Sequence, residues 1–277
     1  MNALSAIGEL IPLPGVPQRI GRDVSAGGVG LRRFGIFEDD LGIDFASANR
    51  AALVTRLLES CAVDPAGILP DSFFRELSIG KRIECLLVLA AGGPDTVLGF
   101  PFKCAGCGEE IELELTLREI SEMQSEADLI EMVGVDIGGR QMEFHKPRGC
   151  DQEMWGKMIF SDERDAAAGM IGTFAALPGS FEALQPEELS AVEEALDEAD
   201  PLVNFSCRVS CGECGELNEP EIDLTETALG MLNRTQSQLV VTVHRLASQY
   251  HWSEQEIFAI PDWRRQQYLK LTEAIRK

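Results

Sequence analysis

Cys104-Ala-Gly-Cys107-Gly and Cys211-Gly-Glu-Cys214-Gly share the C-x-x-C-G spacing, a turn in which two thiolates grip one edge of a zinc ion. The glycine after the second cysteine relieves backbone strain in that turn. Two such pairs supply four sulfurs, which make a closed tetrahedral site of the structural kind rather than an open catalytic one. Cys104, Cys107, Cys211 and Cys214 are therefore the expected ligands of one structural Zn2+. The flanks repeat as well. Superposing the knuckles pairs Glu114 with Glu221, Leu115 with Ile222 and Leu117 with Leu224, so each knuckle is expected within a strand-turn-strand unit. In the first unit Ile111, Leu113, Leu115 and Leu117 alternate with Glu110, Glu112, Glu114 and Thr116, the period of a half-buried strand.

Disulfides and redox dithiols are the competing readings of these cysteines. A redox dithiol opens a helix of a β-α-β unit, and neither knuckle precedes an amphipathic helix. Disulfides suit oxidising compartments, whereas Met1 to Leu13 lacks the basic start and apolar core of a secretory signal. Cys61, Cys85 and Cys150 lie in or beside apolar runs and are expected to pack as small buried residues. Cys207, four residues before Cys211, is the one alternative ligand.

Other chemistry is sparse. His145, His244 and His251 are the only histidines, and none stands in an H-E-x-x-H arrangement. His145 near Cys150 reads as structural, and no G-x-S-x-G or G-x-x-x-x-G-K-[ST] occurs. Gly92-Gly93-Pro94 and Gly138-Gly139 read as turns. A closed four-thiolate site leaves no coordination position for a substrate water, so neither an enzyme nor a small-molecule substrate is expected.

Four stretches position the knuckles. Residues 1–40, with Pro12, Pro14, Pro17 and a glycine-rich Ala26-Gly-Gly-Val-Gly, read as an extended N-terminal arm. Residues 41–117 hold a helix with Leu53, Val54, Leu57, Leu58 and Cys61 on one stripe and Ser47 as its N-cap, then a helix over Ser78 to Ala91, then the first knuckle hairpin. An inserted α/β lobe occupies 118–200. Strands are expected near Ile130 to Val135 and Gln141 to His145, and helices over Asp151 to Phe160, Arg164 to Ala175 and Pro186 to Glu198. Residues 201–277 carry the second knuckle hairpin and a helical tail. A long amphipathic helix starts near Thr225 and uses Leu239, Val243, Leu246, Ala247 and Tyr250. The capping box Ser253-Glu-Gln-Glu256 starts a short helix, and Pro261 opens the last, with Tyr268, Leu271, Thr272 and Ile275 as its stripe. The fold class is α+β: a split four-cysteine zinc ribbon with a long α/β insertion and a C-terminal helical tail.

Charge narrows the partners. The formal net charge of −22 repels nucleic-acid phosphates and acidic membranes, so neither is an expected partner. No stretch approaches the ~20 apolar residues that span a bilayer. Tyr250, Trp252, Phe258, Trp263 and Tyr268 gather five of the eighteen aromatics within nineteen residues. Trp252, Trp263, Arg264, Arg265 and Tyr268 are the expected partner-binding residues, since Trp, Tyr and Arg dominate interface energetics.

The tail from Val243-His-Arg-Leu-Ala-Ser-Gln-Tyr-His-Trp-Ser-Glu-Gln-Glu-Ile257 through Ile260-Pro to Arg264-Arg265-Gln-Gln-Tyr268-Leu269 resembles one found in phage-type proteins. The order of parts is similar to that family over roughly 50–277: a helical stretch, a first knuckle with its alternating strand, a long insertion, Ala199-Asp-Pro-Leu202, a second knuckle and the Tyr-x-Trp-Ser-x-x-Glu-Ile tail. The family is that of tailed-phage baseplate and tail assembly proteins, which includes the T-even baseplate hub assembly chaperones and accompanies phage-like contractile injection systems. The resemblance implies an assembly adaptor or chaperone, baseplate or tail-hub proteins as partners, and the cytoplasm of a bacterial host during assembly, with retention in the finished tail left open. His251 stands where the family pattern expects Gly, so a left-handed backbone is not expected there. The contrasting reading is a zinc-ribbon nucleic-acid-binding regulator. Glu109, Glu110, Glu112, Glu213, Glu216 and Glu219 flank the knuckles where such a protein would carry Lys or Arg.

Overall fold

Ile11–Pro12 (β1), Gly30–Leu31 (β2) and Ala62–Val63 (β3) form a small antiparallel sheet in the computed structural model, which describes residues 10–15, 29–65, 67–177, 181 and 184–275, with side chains through 272. Within the stretch expected as an extended N-terminal arm over 1–40, Ile11–Pro12 and Gly30–Leu31 pair in this sheet. Leu31 and Phe34 are buried in the main core, and the Arg32 guanidinium meets the Asp40 carboxylate in two hydrogen bonds of 2.9 and 2.7 Å. Strands of two residues leave no periodicity to read in a sequence. Pro17 and the Ala26-Gly27-Gly28 part of the expected arm lie outside the described residues.

Asn49, not Ser47, caps the first helix, α1 (Arg50–Cys61), by accepting the Ala52 N–H at 3.0 Å. A short α2 (Phe73–Glu76) leads to α3 (Ile79–Ala91), which begins on the Ser78 hydroxyl and ends on left-handed Gly92. Helix α3 is enclosed. Leu86 and Leu87 are buried on one side, and Lys81, Arg82 and Glu84 are each no more than 2% exposed. Beyond it, β4 (Val97–Lys103) and β5 (Glu110–Thr116) pair antiparallel with Phe100 opposite Leu113. Leu117, expected to extend the strand, instead opens α4 (Leu117–Ala127) behind a Thr116–Glu119 capping box, where it is buried.

The insertion begins with the hairpin β6 (Met132–Ile137) and β7 (Arg140–His145), closed by Gly138 and Gly139, both at positive φ. Helices α5 (Gly149–Trp155), α6 (Glu163–Phe174) and α7 (Pro186–Ala199) follow. The first stops several residues short of the expected Phe160. Val133, Val135, Phe144, Ile171, Phe174 and Val192 form this lobe's own core. Two buried side chains clip the lobe to the body. Lys146 Nζ donates to Ala127 O at 2.9 Å, at the end of α4. Asp200, just past α7, accepts the Gly80 N–H at 2.9 Å and the Gln124 amide at 3.1 Å, so it caps the first turn of α3. A Cβ at position 80 would fall 2.2 Å from Asp200 Oδ1, so only glycine lets the two elements approach this closely.

The second knuckle sits between β8 (Val209–Ser210) and β9 (Leu217–Asn218), much shorter strands than those of the first. Asp223 then caps α8 (Leu224–Tyr250), the longest helix described. Its first half packs Leu224, Ala228, Leu229 and Leu232 into the main core. Its second half meets α9 (Glu254–Phe258) and α10 (Asp262–Ile275) through Val243, Leu246, Ile257 and Leu269. Contrary to expectation, His251 is left-handed at φ 57°, the conformation that ends α8. The face of α10 also differs: Leu271 is 54% exposed, while Arg265, Leu269 and Thr272 are the residues turned inward.

Candidate metal centre

The two knuckles fold alike because the same backbone bonds close them. Cys104 N–H donates to Glu109 O and Gly108 N–H to Cys104 O, at 2.8 and 2.9 Å; Cys211 with Glu216 and Gly215 with Cys211 repeat these bonds at the same lengths. Gly108 and Gly215 adopt φ of 77° and 76°, which a side chain would strain. The turns aim four thiols at one point. Cys104 Sγ lies 3.6 Å from Cys214 Sγ, Cys107 Sγ lies 3.7 Å from Cys211 Sγ, and all four sulfurs fall within 4.8 Å of one another. Cys104 and Cys211 are buried, whereas Cys107 and Cys214 are exposed. Four thiols in this arrangement can hold a metal ion.

Backbone N–H groups prepare the sulfurs for negative charge. The Cys104 thiol is drawn down to about 6, first by the Cys107 N–H and further by the Gly106 N–H and the Asn218 amide. The Glu109 N–H likewise draws on Cys107, but the neighbouring sulfurs of Cys214, Cys211 and Cys104 outweigh it and push that thiol up to about 12. The Cys104 proton leaves readily while that of Cys107 is held by the neighbouring sulfurs, the condition that a divalent cation relieves.

Asn218 is the functional residue that reading the sequence missed. It belongs to the second knuckle's strand, yet its Oδ1 accepts the Ala105 N–H at 2.9 Å and its Nδ2 lies 3.6 Å from Cys104 Sγ, so it holds the first knuckle against the second. The same Nδ2 donates to Glu216 O at 3.1 Å, which fixes the amide's orientation. No signal in the knuckle motif marks it, because the repeat places Ile111 at the matching position. Cys207 is not in the sulfur cluster and packs against the main core. Cys61 and Cys85 are buried as expected, their thiols pushed up to about 11 and about 12 by desolvation, while Cys150 is half-buried.

No family model, curated protein or solved structure matches this chain.

The expected partner-binding residues divide into two sets. Trp252 stacks on Tyr250 with ring centroids 4.6 Å apart, and Tyr268 meets both rings edge-on, so these aromatics bind α8, α9 and α10 to one another. Arg265 is a correction: at 2% exposure it lies under the surface, over the Phe258 ring. Trp263, at 64% exposure, and Arg264, which donates to Tyr268 OH at 2.9 Å, remain on the outside. Elsewhere, a groove of about 800 Å³ between α1, α3 and the segments flanking the second knuckle is lined by Arg50, Arg82, Glu221 and Asp223. None of the expected site residues lines it.

Proposed function

We propose that the four thiolates hold one Zn2+ as a structural centre, and that the chain is a non-enzymatic adaptor or chaperone in the assembly of a phage-like contractile tail baseplate. The observation that carries the zinc reading is the sulfur geometry. A tetrahedral Zn2+ with Zn–S of about 2.3 Å needs sulfurs about 3.8 Å apart, and the closest pairs here stand at 3.6 and 3.7 Å. The ion would be held by Cys104, Cys107, Cys211 and Cys214, and its charge would offset part of the repulsion among four neighbouring thiolates. Asn218 would orient the first knuckle around it.

Architecture supports the adaptor half of the proposal. The second knuckle runs through Glu221-Ile-Asp-Leu224 directly into α8, so the metal fixes that helix relative to the β4–β5 hairpin. Helix α10, packed against the far half of α8, carries exposed Trp263 and Arg264, residue types that anchor interfaces. Baseplate and tail-hub proteins are the partners this reading names. Co-expression with such proteins from a contractile-particle gene cluster is the test. The wild-type chain should co-purify with one of them, and Trp263→Ala/Arg264→Glu should keep its metal and fold but lose that partner. Salt-sensitive binding to duplex DNA or RNA, with no association to any tail protein, would favour the regulator reading instead.

A further inference from the structure

The hydrogen-bond phase of the β4–β5 hairpin decides which backbone groups it leaves unpaired. Cys104 N–H donates to Glu109 O at 2.8 Å at one end, and Leu117 N–H donates to Thr96 O at 2.9 Å at the other. Opposed residues in an antiparallel ladder alternate between bonded and non-bonded pairs. Counting inward from either end makes Phe102–Ile111, Phe100–Leu113 and Leu98–Leu115 the bonded pairs. Lys103–Glu110, Pro101–Glu112 and Gly99–Glu114 are then non-bonded, with N–H and C=O turned away from the hairpin. Pro101 agrees with this phase, because a residue lacking N–H cannot occupy a bonded position without losing a bond.

The two outer edges therefore differ. Pro101 removes a donor from the outer edge of β4, as edge strands commonly do. The outer edge of β5 keeps its donors and acceptors at Glu110, Glu112 and Glu114, and among the described residues no strand pairs with it. The three glutamates are exposed, and their side chains share the solvent face of the hairpin, opposite half-buried Ile111 and Leu113.

We propose that the outer edge of β5 is a strand-addition site for an extended Lys- or Arg-rich segment of a partner protein. The incoming strand would pair with the backbone of Glu110, Glu112 and Glu114, and its basic side chains at alternate positions would lie beside the three carboxylates. A second copy of this chain fits poorly, since antiparallel β5 strands would set glutamate against glutamate. The site goes beyond the adaptor reading and needs no particular particle.

The test uses the full-length, metal-loaded protein and a synthetic extended peptide alternating Lys and Val. The control is the same peptide N-methylated on the amides that would face β5, which keeps the charge and removes the donors. The parent peptide should slow amide exchange at Glu110, Glu112 and Glu114, which exchange fast in the free protein, while Ile111, Leu113 and Leu115 are protected throughout. Glu112→Pro leaves every β4–β5 bond in place and should weaken binding about tenfold, the effect of one hydrogen bond. Glutamine at 110, 112 and 114 should weaken it by a similar factor and flatten its salt dependence. Equal binding of the N-methylated control would overturn the proposal, as would Glu112→Pro protein that keeps its metal and binds as tightly as wild type. So would wild-type self-association abolished by Glu112→Pro, which makes a second copy the occupant. If Glu112→Pro loses its metal, the control peptide decides alone.

Discussion

Asn218 shows what one residue can add to a metal centre without ligating the ion. Its amide bridges an N–H of the first knuckle and a carbonyl of the second, and it faces the Cys104 sulfur from a site only 6% exposed. Groups in that position tune the ligand and orient it, and their removal typically costs 10–100-fold in metal affinity, roughly. Asn218→Ala should therefore weaken metal binding by about one to two orders of magnitude in a competitive chelator titration, with the apoprotein's helical content unchanged. An affinity equal to wild type would leave Asn218 a packing residue only. The four cysteines were legible in the sequence because each pair is a local motif, four residues long with its own turn. Asn218 was not, since its partner Ala105 lies 113 residues away and nothing in the local pattern marks the contact.

Elements were legible where periodicity or capping chemistry marks them. The Ser253–Glu256 box forms as read, with Glu256 Oε2 accepting from both the Ser253 backbone and its hydroxyl. Those bonds hold the Glu256 carboxyl below its ordinary value of 4.5. A depressed folded-state pKa means that the stabilisation is present above the ordinary value and lost as pH falls through the folded one. An NMR titration should thus place Glu256 below an unstructured glutamate, with α9 loosening only in that acid range; an ordinary or raised value would contradict the capping account. Residues 29–40 were not legible, because their order comes from burial rather than pattern. Asp40, fully buried, accepts two bonds from Arg32 and further N–H bonds from Gly35, Ile36 and Phe37. Asp40→Ala would strand a buried guanidinium and should cost about 3–5 kcal/mol, read as a shift in denaturation midpoint at constant slope. A shift below about 1 kcal/mol would place the segment outside the cooperative core.

Across the described residues, three apolar clusters are joined by polar contacts and by Trp155, which packs against both the main core and the core of the inserted lobe. Asp200 and Lys146 clip the inserted lobe to the body, and Gln236, on α8, reaches the carbonyls of Asp40 and Ile43 at 2.8 Å each. The Ala199-Asp-Pro-Leu202 segment was visible in the sequence as a feature without a role; its role as the cap of α3 needed the fold. The knuckles do the same joining work at the hairpin, tying two segments more than a hundred residues apart. Metal-binding energy in such a site is folding energy. The most direct test is therefore the metal content of the fully reduced chain together with its unfolding midpoint before and after chelation. The account predicts close to one zinc per chain, loss of both metal and stability in Cys104→Ser/Cys211→Ser, and an unchanged metal content in Cys207→Ser. Zinc near zero in reduced protein, with an unfolding midpoint indifferent to chelator, would contradict it.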